Sequence, residues 1–285
     1  YRRKLFNHSV SNLAEITCFL VDNGSKRPAS TLSLRRVAAS LAAKIACPTE
    51  AVSLLHSDSV PASELDGQPA RLLAESLDAF GQAGGKTAVV LPLFFGPSGA
   101  LAEYLPPRIE ALAAKYTESR FILAKCLESP NDNSTALLAQ GIQREISSTI
   151  AAAQFSCPAV VLTDHGSPLP GVTEVRNRLG AALVESYPQA KVSSMERREG
   201  DQYAFNEPLL ETVLQTLAAS GEEEIVVALQ FLFSGRHAGE QGDIAQICAA
   251  VGEKHPRLKT VTTQPIGESP EILQLLERRF REAIN

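Results

Sequence analysis

The chain has 285 residues, of which 44% are hydrophobic and 21% charged. These values are ordinary for a globular protein and exclude intrinsic disorder and fibrous repeats. The formal net charge of -5 offers no overall attraction to nucleic acid or to an anionic membrane. Prolines aside, the longest apolar run, 88–95, is far shorter than the ~20 residues that cross a bilayer. We therefore expect neither a nucleic-acid partner nor a membrane span.

The predicted elements alternate between short apolar runs and longer segments of helical period, the pattern of βα units on a parallel sheet. In chain order the first half is predicted to contain strands at 16–21, 51–56, 87–95 and 120–125, which alternate with helices at 31–46, 70–80, 101–115 and 134–152. The second half repeats this order, with strands at 158–163, 191–196, 224–232 and 259–264 and helices at 172–186, 208–219, 241–254 and 270–283. In both series a strand comes first.

The two halves also resemble each other residue by residue. The segment ITCFLVDNGS at 16–25 is answered by PAVVLTDHGS at 158–167, and LESP at 127–130 is answered by GESP at 267–270. This nearly constant register indicates a tandem duplication. The sequence therefore predicts an α/β protein with two Rossmann-like lobes, each a four-stranded parallel sheet flanked by helices. We place the N-terminal lobe at 1–156 and the C-terminal lobe at 157–285.

The N-terminus and the cysteines indicate the compartment. Residues 1–12 are basic and polar and lead into a strand-like run, which is not the pattern of a signal peptide. The five cysteines form no CxxC pair, which favours reduced thiols over disulfides or a zinc knuckle. We expect a cytoplasmic protein.

Two segments have the residue types of a known motif, a phosphate loop and a hydrolytic triad, but neither has the required spacing or geometry. The glycine-rich segment 81–87 is one residue short of a phosphate loop, and a strand follows it instead of a helix. Asp164, His165 and Ser167 have the residue types of a hydrolytic triad, but neighbours in one extended turn cannot align as nucleophile, base and orienting acid.

The carboxyl ends of the strands are where ligands bind in sheets of this kind. His165 and His237 each follow a strand of the second half, and Glu196 ends the strand between them. Two imidazoles and a carboxylate suit a divalent first-row metal ion, and they can also accept protons near neutral pH. Taken singly, each histidine could be an ordinary loop residue, and Glu196 could be solvated surface.

The first half lacks this set of residues. It has Asn23 and Ala100 at the positions of the two histidines, and His56 at the position of Glu196. One working site, in the second half, is therefore predicted.

The sequences DHGS at 164–167 and FLFSGRHAGEQGDI at 231–244 resemble those of the sirohydrochlorin chelatases. These class II tetrapyrrole chelatases insert cobalt or iron into sirohydrochlorin on the way to cobalamin or sirohaem. The resemblance covers essentially the whole chain, because the long members are also two fused α/β lobes. It implies that His165 and His237 are catalytic, with Glu196 as the matching glutamate. Some long members work through their N-terminal half, which this chain could not do. The C-terminal placement of its histidines is instead similar to that in ferrochelatases and anaerobic cobaltochelatases, which resemble it in fold.

This resemblance implies a chelatase in which His165 and His237 bind the ion and accept protons, while Glu196 supplies a further ligand or relay. Co²⁺ or Fe²⁺ is then a substrate, and no permanently bound cofactor is required. The partner is a small-molecule tetrapyrrole, and the duplication makes a monomer plausible. The residues predicted to bind the substrate are Arg236, Arg176, Gly166, Ser167 and Gly235. Further basic residues near the predicted cleft are Arg178, Arg197, Arg198, Lys26 and Arg27.

Two other functions remain open at this point. The first is a tetrapyrrole-binding or metal-carrier protein that keeps the pocket without catalysing insertion, which the histidine-free first half makes worth considering. The second is a sensor similar to periplasmic binding proteins, which also have two α/β lobes, although the lack of an export signal argues against it.

Overall fold

The computed structural model describes residues 13–239 and 241–285. The segment 1–12, interpreted above as a non-exported N-terminus, lies outside the described residues. None of the helices in these two ranges is long and apolar enough to cross a bilayer.

Strands and helices alternate along both halves, as predicted. The first half contains β1 (Ile16–Asp22), α1 (Pro28–Ile45), β2 (Thr49–Ser53), α2 (Leu73–Gln82), β3 (Thr87–Pro92), α3 (Leu105–Lys115), β4 (Arg120–Leu123) and α4 (Ser134–Ala153). The second contains β5 (Ala159–Asp164), α5 (Pro170–Leu183), β6 (Lys191–Ser194), α6 (Leu210–Ala219), β7 (Glu224–Leu229), α7 (Asp243–Lys254), β8 (Lys259–Thr262) and α8 (Pro270–Ile284).

The strands form two parallel four-stranded sheets with the orders β2-β1-β3-β4 and β6-β5-β7-β8. The predicted fold class is therefore confirmed. Several strands end earlier than predicted, because apolar residues continue beyond the paired segment. Phe94, Phe95 and Phe231 follow β3 and β7 but pack, partly buried, against the core from the loops.

Each sheet buries both faces, as parallel sheets do. In β5 the side chains of Val160 and Leu162 join a large core between the two sheets, whereas Val161 joins a smaller core on the outer face. Helices α2 and α3 cover the outer face of the first sheet, and α6 and α7 cover that of the second. Helices α1, α4, α5 and α8 lie between the sheets.

The last helix of each half packs on the other half. Helix α4 contacts α5, β7 and β8, and helix α8 contacts α1 and β3. Ile142 and Ile146 of α4, together with Leu275 and Phe280 of α8, are fully buried in the central core. The predicted boundary between 156 and 157 falls between α4 and β5, but the packing units are not the same as the two sequence repeats.

Two of the ion pairs between the halves are related to each other by the duplication. Arg178 of α5 donates to both oxygens of Glu128, at 2.7 Å and 2.7 Å. Arg36 of α1 donates to both oxygens of Glu268, at 2.8 Å and 2.6 Å. Each half thus contributes one arginine and one glutamate, which is the arrangement of a two-fold symmetric interface.

Candidate active site

The two histidines meet at the carboxyl edge of the second sheet. His165 follows β5 directly, and His237 lies in the loop between β7 and α7. Their Nε2 atoms are 3.3 Å apart, with ring centroids 4.5 Å apart and planes inclined at 78°. The convergence expected from the carboxyl-edge rule is present, because β5 and β7 are neighbours in the sheet.

Hydrogen bonds at Nδ1 determine the tautomer of each imidazole. His165 Nδ1 lies 3.1 Å from the carbonyl oxygen of Gly166, and His237 Nδ1 lies 2.5 Å from Asp243 Oδ2. Both partners are acceptors, so each Nδ1 carries the hydrogen. In the neutral rings both Nε2 atoms then present a lone pair. Two lone pairs this close repel each other unless a proton or a metal ion lies between them.

The separation of the two Nε2 atoms also suits a shared ion. Two imidazole nitrogens about 2.1 Å from one metal ion, at an angle near that of a tetrahedron, lie about 3.4 Å apart. Elsewhere in the described ranges, as here, no three or more His, Cys, Asp or Glu side chains are grouped to hold a metal ion. The protein thus offers two nitrogen ligands at this point, and other ligands would come from water or substrate.

Glu196 lies beside the first histidine. Its Oε1 is 3.6 Å from His165 Nε2, and its side chain is 60% exposed. Its backbone N–H donates to the carbonyl oxygen of His165 at 3.2 Å, so the two loops are joined at this point. The carboxylate thus lies within ion-pair distance of His165 and is open to solvent.

Gly166 permits this close approach of the loops. Its φ is +91°, and a Cβ there would lie 1.9 Å from the carbonyl oxygen of Glu196. Its N–H donates to Asp164 Oδ1 at 3.1 Å, and Ser194 Oγ donates to the same oxygen at 2.6 Å. Burial raises the pKa of Asp164, opposed by the hydroxyl of Ser194 and the charge of Arg176. Gly166 shapes the turn that carries His165.

Arg176 requires a correction. It was predicted to bind the substrate, but only 1% of it is exposed. Its Nη1 donates to Ser194 Oγ at 2.6 Å and to the carbonyl oxygen of Asn206 at 2.9 Å, and it lies 3.9 Å from Asp164 Oδ1. Since the guanidinium is used inside the fold, it has no surface with which to bind a ring carboxylate.

Ser167 also takes part in the loop framework. Its N–H donates to Asn206 Oδ1 at 2.9 Å, and its carbonyl oxygen accepts from Asn206 Nδ2 at 2.9 Å. Its hydroxyl oxygen accepts from the N–H of Leu169 at 3.0 Å. These bonds tie the His165 loop to the segment that follows Glu196, and a substrate contact of Ser167 stays a prediction.

Two of the other predicted basic residues are committed to ion pairs. Arg178 binds Glu128, as described above, and Arg197 donates to Glu207 Oε1 at 2.7 Å. Arg236, next to His237, instead has a side chain that is 79% exposed, with its Nε 3.9 Å from Asp243 Oδ2. Arg198, Lys26 and Arg27 are exposed as well.

The first lobe borders this loop. Ser30 Oγ donates to the carbonyl oxygen of Ser234 at 3.1 Å, and a Cβ on Gly235 would lie 3.9 Å from Ser30 Oγ and 4.0 Å from Ser25 Oγ. Lys26 and Arg27 therefore belong to a segment that adjoins the loop carrying His237.

Sequence reasoning missed two residues of the site. Asp243 supports His237, and Asn206 holds the loop of His165. The motif at 231–244 contains this aspartate as its second-last residue, so the signal for Asp243 was present as a carboxylate opening the helix after the histidine. Nothing in the local sequence around Asn206 indicates its role, because its partners are far away along the chain.

Comparison with known proteins identifies the second lobe. Residues 159–283 match the family model CbiX, and a search of curated proteins finds no match. Among solved structures the chain is similar to SirB from Bacillus subtilis with Fe³⁺, at 18% identity and a TM-score of 0.70, covering 94% of this chain and 95% of that one.

Two further solved structures share the fold. One is the sirohydrochlorin chelatase SirB from Bacillus subtilis subspecies spizizenii in complex with cobalt, at 15% identity and a TM-score of 0.67, covering 94% of this chain and 95% of that one. The other is CbiX, described as the terminal enzyme of sirohaem biosynthesis in denitrifying bacteria, at 13% identity and a TM-score of 0.57, covering 95% and 99%. The second lobe thus matches the CbiX family model, and the chain as a whole has the two-lobed fold of the SirB and CbiX structures.

Proposed function

We propose that this protein inserts a divalent first-row metal ion, Co²⁺ or Fe²⁺, into sirohydrochlorin. One observation carries the proposal: two imidazole Nε2 atoms, each with its hydrogen held on Nδ1, face one another at 3.3 Å. A cation between them would turn their repulsion into binding. The relatives support this assignment, since the SirB structures contain Fe³⁺ or cobalt and one of them is described as a sirohydrochlorin chelatase.

The insertion reaction exchanges one ion for two protons. Two pyrrole N–H bonds break, their electron pairs bind the metal, and the two protons must leave. A histidine that holds the ion through Nε2 cannot accept a proton there until the ion moves to the ring. His165 and His237 therefore release the ion and take up protons at the same atoms, which keeps the charge at the site nearly constant.

Glu196 completes the proton path. Two protonated imidazoles at this separation would repel each other strongly. Because Glu196 Oε1 lies 3.6 Å from His165 Nε2 and its side chain is largely exposed, it can take a proton from His165 and pass it to water. In this proposal Glu196 is a relay and not a metal ligand.

Exposed basic residues around the site provide charge for the substrate. The macrocycle is a flat apolar disc with carboxylates at its edge, which guanidinium and ammonium groups bind well. Arg236 on the second lobe and Lys26 and Arg27 on the first are exposed around the loop of His237. We propose these three residues as carboxylate contacts, with Gly235 allowing the close approach of the backbone.

An anaerobic insertion assay tests the function. Purified protein is mixed with sirohydrochlorin and Co²⁺ or Fe²⁺, and the absorbance change of the macrocycle is followed. We expect insertion faster than the uncatalysed control, and a loss of about 10²-fold or more in His165→Ala and His237→Ala. His255→Ala is the matched control, because this histidine lies at the opposite end of α7.

The outcomes separate the alternatives. Insertion no faster than the uncatalysed reaction, with metal or tetrapyrrole still bound, would favour the carrier protein. Undiminished rates in both site variants would show that another part of the molecule performs the chemistry.

A further inference from the structure

Asp243 is hydrogen-bonded to one of the two site histidines, and the other has no such carboxylate. We infer that Asp243 is a positioning residue that makes His237 the anchoring ligand of the ion and leaves His165 as the exchanging one. This inference rests on the proposed function and assigns different roles to the two histidines.

The partners of the two Nδ1 atoms differ in strength. His237 Nδ1 donates to a carboxylate oxygen at 2.5 Å, whereas His165 Nδ1 donates to a neutral carbonyl oxygen, that of Gly166, at 3.1 Å. Hydrogen bonds to an ionised acceptor are shorter and about twice as strong as neutral ones. A carboxylate behind an imidazole fixes its tautomer and orientation and makes the opposite nitrogen a better metal ligand.

The loop that carries His237 is built around this contact. The carbonyl oxygen of His237 accepts from the N–H of Ile244 at 3.3 Å, and the Gly242 N–H donates to the carbonyl oxygen of Gly239 at 2.8 Å. A Cβ on Gly242 would lie 2.4 Å from the carbonyl oxygen of His237. The chain thus turns back on itself, so that the first residue of α7 reaches the imidazole.

Exposure supports the same division. The side chain of His237 is 29% exposed and that of His165 is 45% exposed. His165 has the relay carboxylate of Glu196 beside its Nε2, whereas His237 has its carboxylate behind the ring. One imidazole is held in place, and the other is open to proton exchange.

The first lobe lacks both members of the supported pair. When the ends of β3 and β7 are aligned, Ala100 takes the place of His237 and Pro106 takes the place of Asp243. Since the proline lies in the first turn of α3, no carboxylate is available there. The absence of both residues fits a pair that works as a unit.

The division gives an order to the reaction. The bond from the ion to His165 Nε2 breaks first, and a pyrrole nitrogen binds the ion with the electron pair of its broken N–H bond. The released proton goes to His165 Nε2 and then to Glu196 Oε1. His237 holds the ion until the second pyrrole nitrogen replaces it as a ligand. His237 Nε2 then accepts the second proton.

Binding of Co²⁺ alone, without tetrapyrrole, tests the inference in the full chain. The ligand-field absorption of Co²⁺ is titrated for wild type, Asp243→Asn and Asp243→Glu. We expect Asp243→Asn to weaken binding 10–100-fold, about the usual effect of losing such a carboxylate, and Asp243→Glu to recover part of the loss. Glu211→Gln is the matched control, because it removes a first-turn carboxylate from α6 without touching the site.

Double variants distinguish positioning from a general structural role. Asp243→Asn should have no further effect in the His237→Ala background, and its full 10–100-fold effect in the His165→Ala background. Equal losses in the two backgrounds, or wild-type binding in Asp243→Asn, would overturn the inference. Co²⁺ binding that His237→Ala and His165→Ala leave unchanged would overturn the proposed function as well.

Discussion

The carboxyl edges of the two sheets share a framework but differ in chemistry. Gly24 in the first lobe and Gly166 in the second have φ values of +87° and +91°, and a Cβ on either would lie within 2 Å of a carbonyl oxygen of the neighbouring loop. Both follow a buried aspartate, Asp22 or Asp164. The lobe without the two histidines has the same turn, which indicates that the fold requires it independently of the histidines.

The buried charges differ more. In the second lobe Arg176 lies over Asp164, whereas the matching position in α1 is the buried Leu34. Asp22 therefore has no buried cation beside it, and burial raises its pKa to about 6. Each of the two aspartates has one carboxylate oxygen without a hydrogen-bond partner. The lobe without the two histidines also lacks the buried arginine, which in the second lobe binds Ser194 and the carbonyl oxygen of Asn206.

Arg176→Leu, which copies the first lobe, should have the largest effect on stability. It leaves Asp164 buried without its cation, so we expect the free energy of unfolding to fall by about 3–5 kcal/mol. Denaturant unfolding measures this, with the exposed Arg198→Leu as control. A loss below about 1 kcal/mol would show that the network tolerates an isolated carboxylate, as the first lobe does.

The two symmetric ion pairs should differ in strength. Glu128 has a side chain that is 1% exposed, so Arg178→Ala should cost about 3 kcal/mol. Arg36 and Glu268 are 59% and 43% exposed, so Arg36→Ala should cost less than about 1 kcal/mol. The same unfolding measurement compares the two variants. Equal losses of unfolding free energy would mean that the solvent exposure of an ion pair does not determine its contribution to stability here.

Asp22 should give the first lobe a pH dependence. Because its folded pKa of about 6 exceeds its ordinary value of 3.8, the folded state binds the proton more tightly than the unfolded state does. The resulting stability is present below pH 4 and is lost as the pH rises through 6, by on the order of 2–3 kcal/mol.

Asp22→Asn removes this titration. Relative to wild type, the variant should therefore gain stability between pH 4 and 6.5, which unfolding curves at several pH values would show. A stability difference that does not change with pH would mean that Asp22 titrates normally.

Placing histidines in the first lobe should have the smallest effect on metal binding. Ala100 begins a π-helical turn at Ala100–Tyr104, whereas His237 lies in a loop before its helix, so the double variant Asn23→His, Ala100→His should still bind one Co²⁺ per chain. Equilibrium dialysis measures this stoichiometry. A second site of similar affinity would show that two histidines suffice without the supporting carboxylate.

Much of this arrangement follows from local sequence. In the described residues the helical and strand periods predicted each α-helix and strand but not the short 3-10 helices, such as Asp201–Asn206. The carboxyl-edge rule predicted the approach of His165 and His237. The burial of Arg176 could not be seen, because an arginine on an amphipathic helix has the same pattern whether it meets solvent or a buried aspartate. The packing of α4 on the second half and of α8 on the first could not be predicted either, because the apolar faces of these helices suit either sheet.

This packing of α4 and α8 has a consequence for synthesis on the ribosome. Val89 and Leu91 of the first sheet face the central core. Helix α8, which contacts their strand β3, is translated only after every strand of the second sheet. Helix α4, in contrast, is translated before the second sheet, whose strands β7 and β8 it contacts. We expect the nascent chain to depend on holding chaperones until α8 arrives, and both halves then to close in one late step.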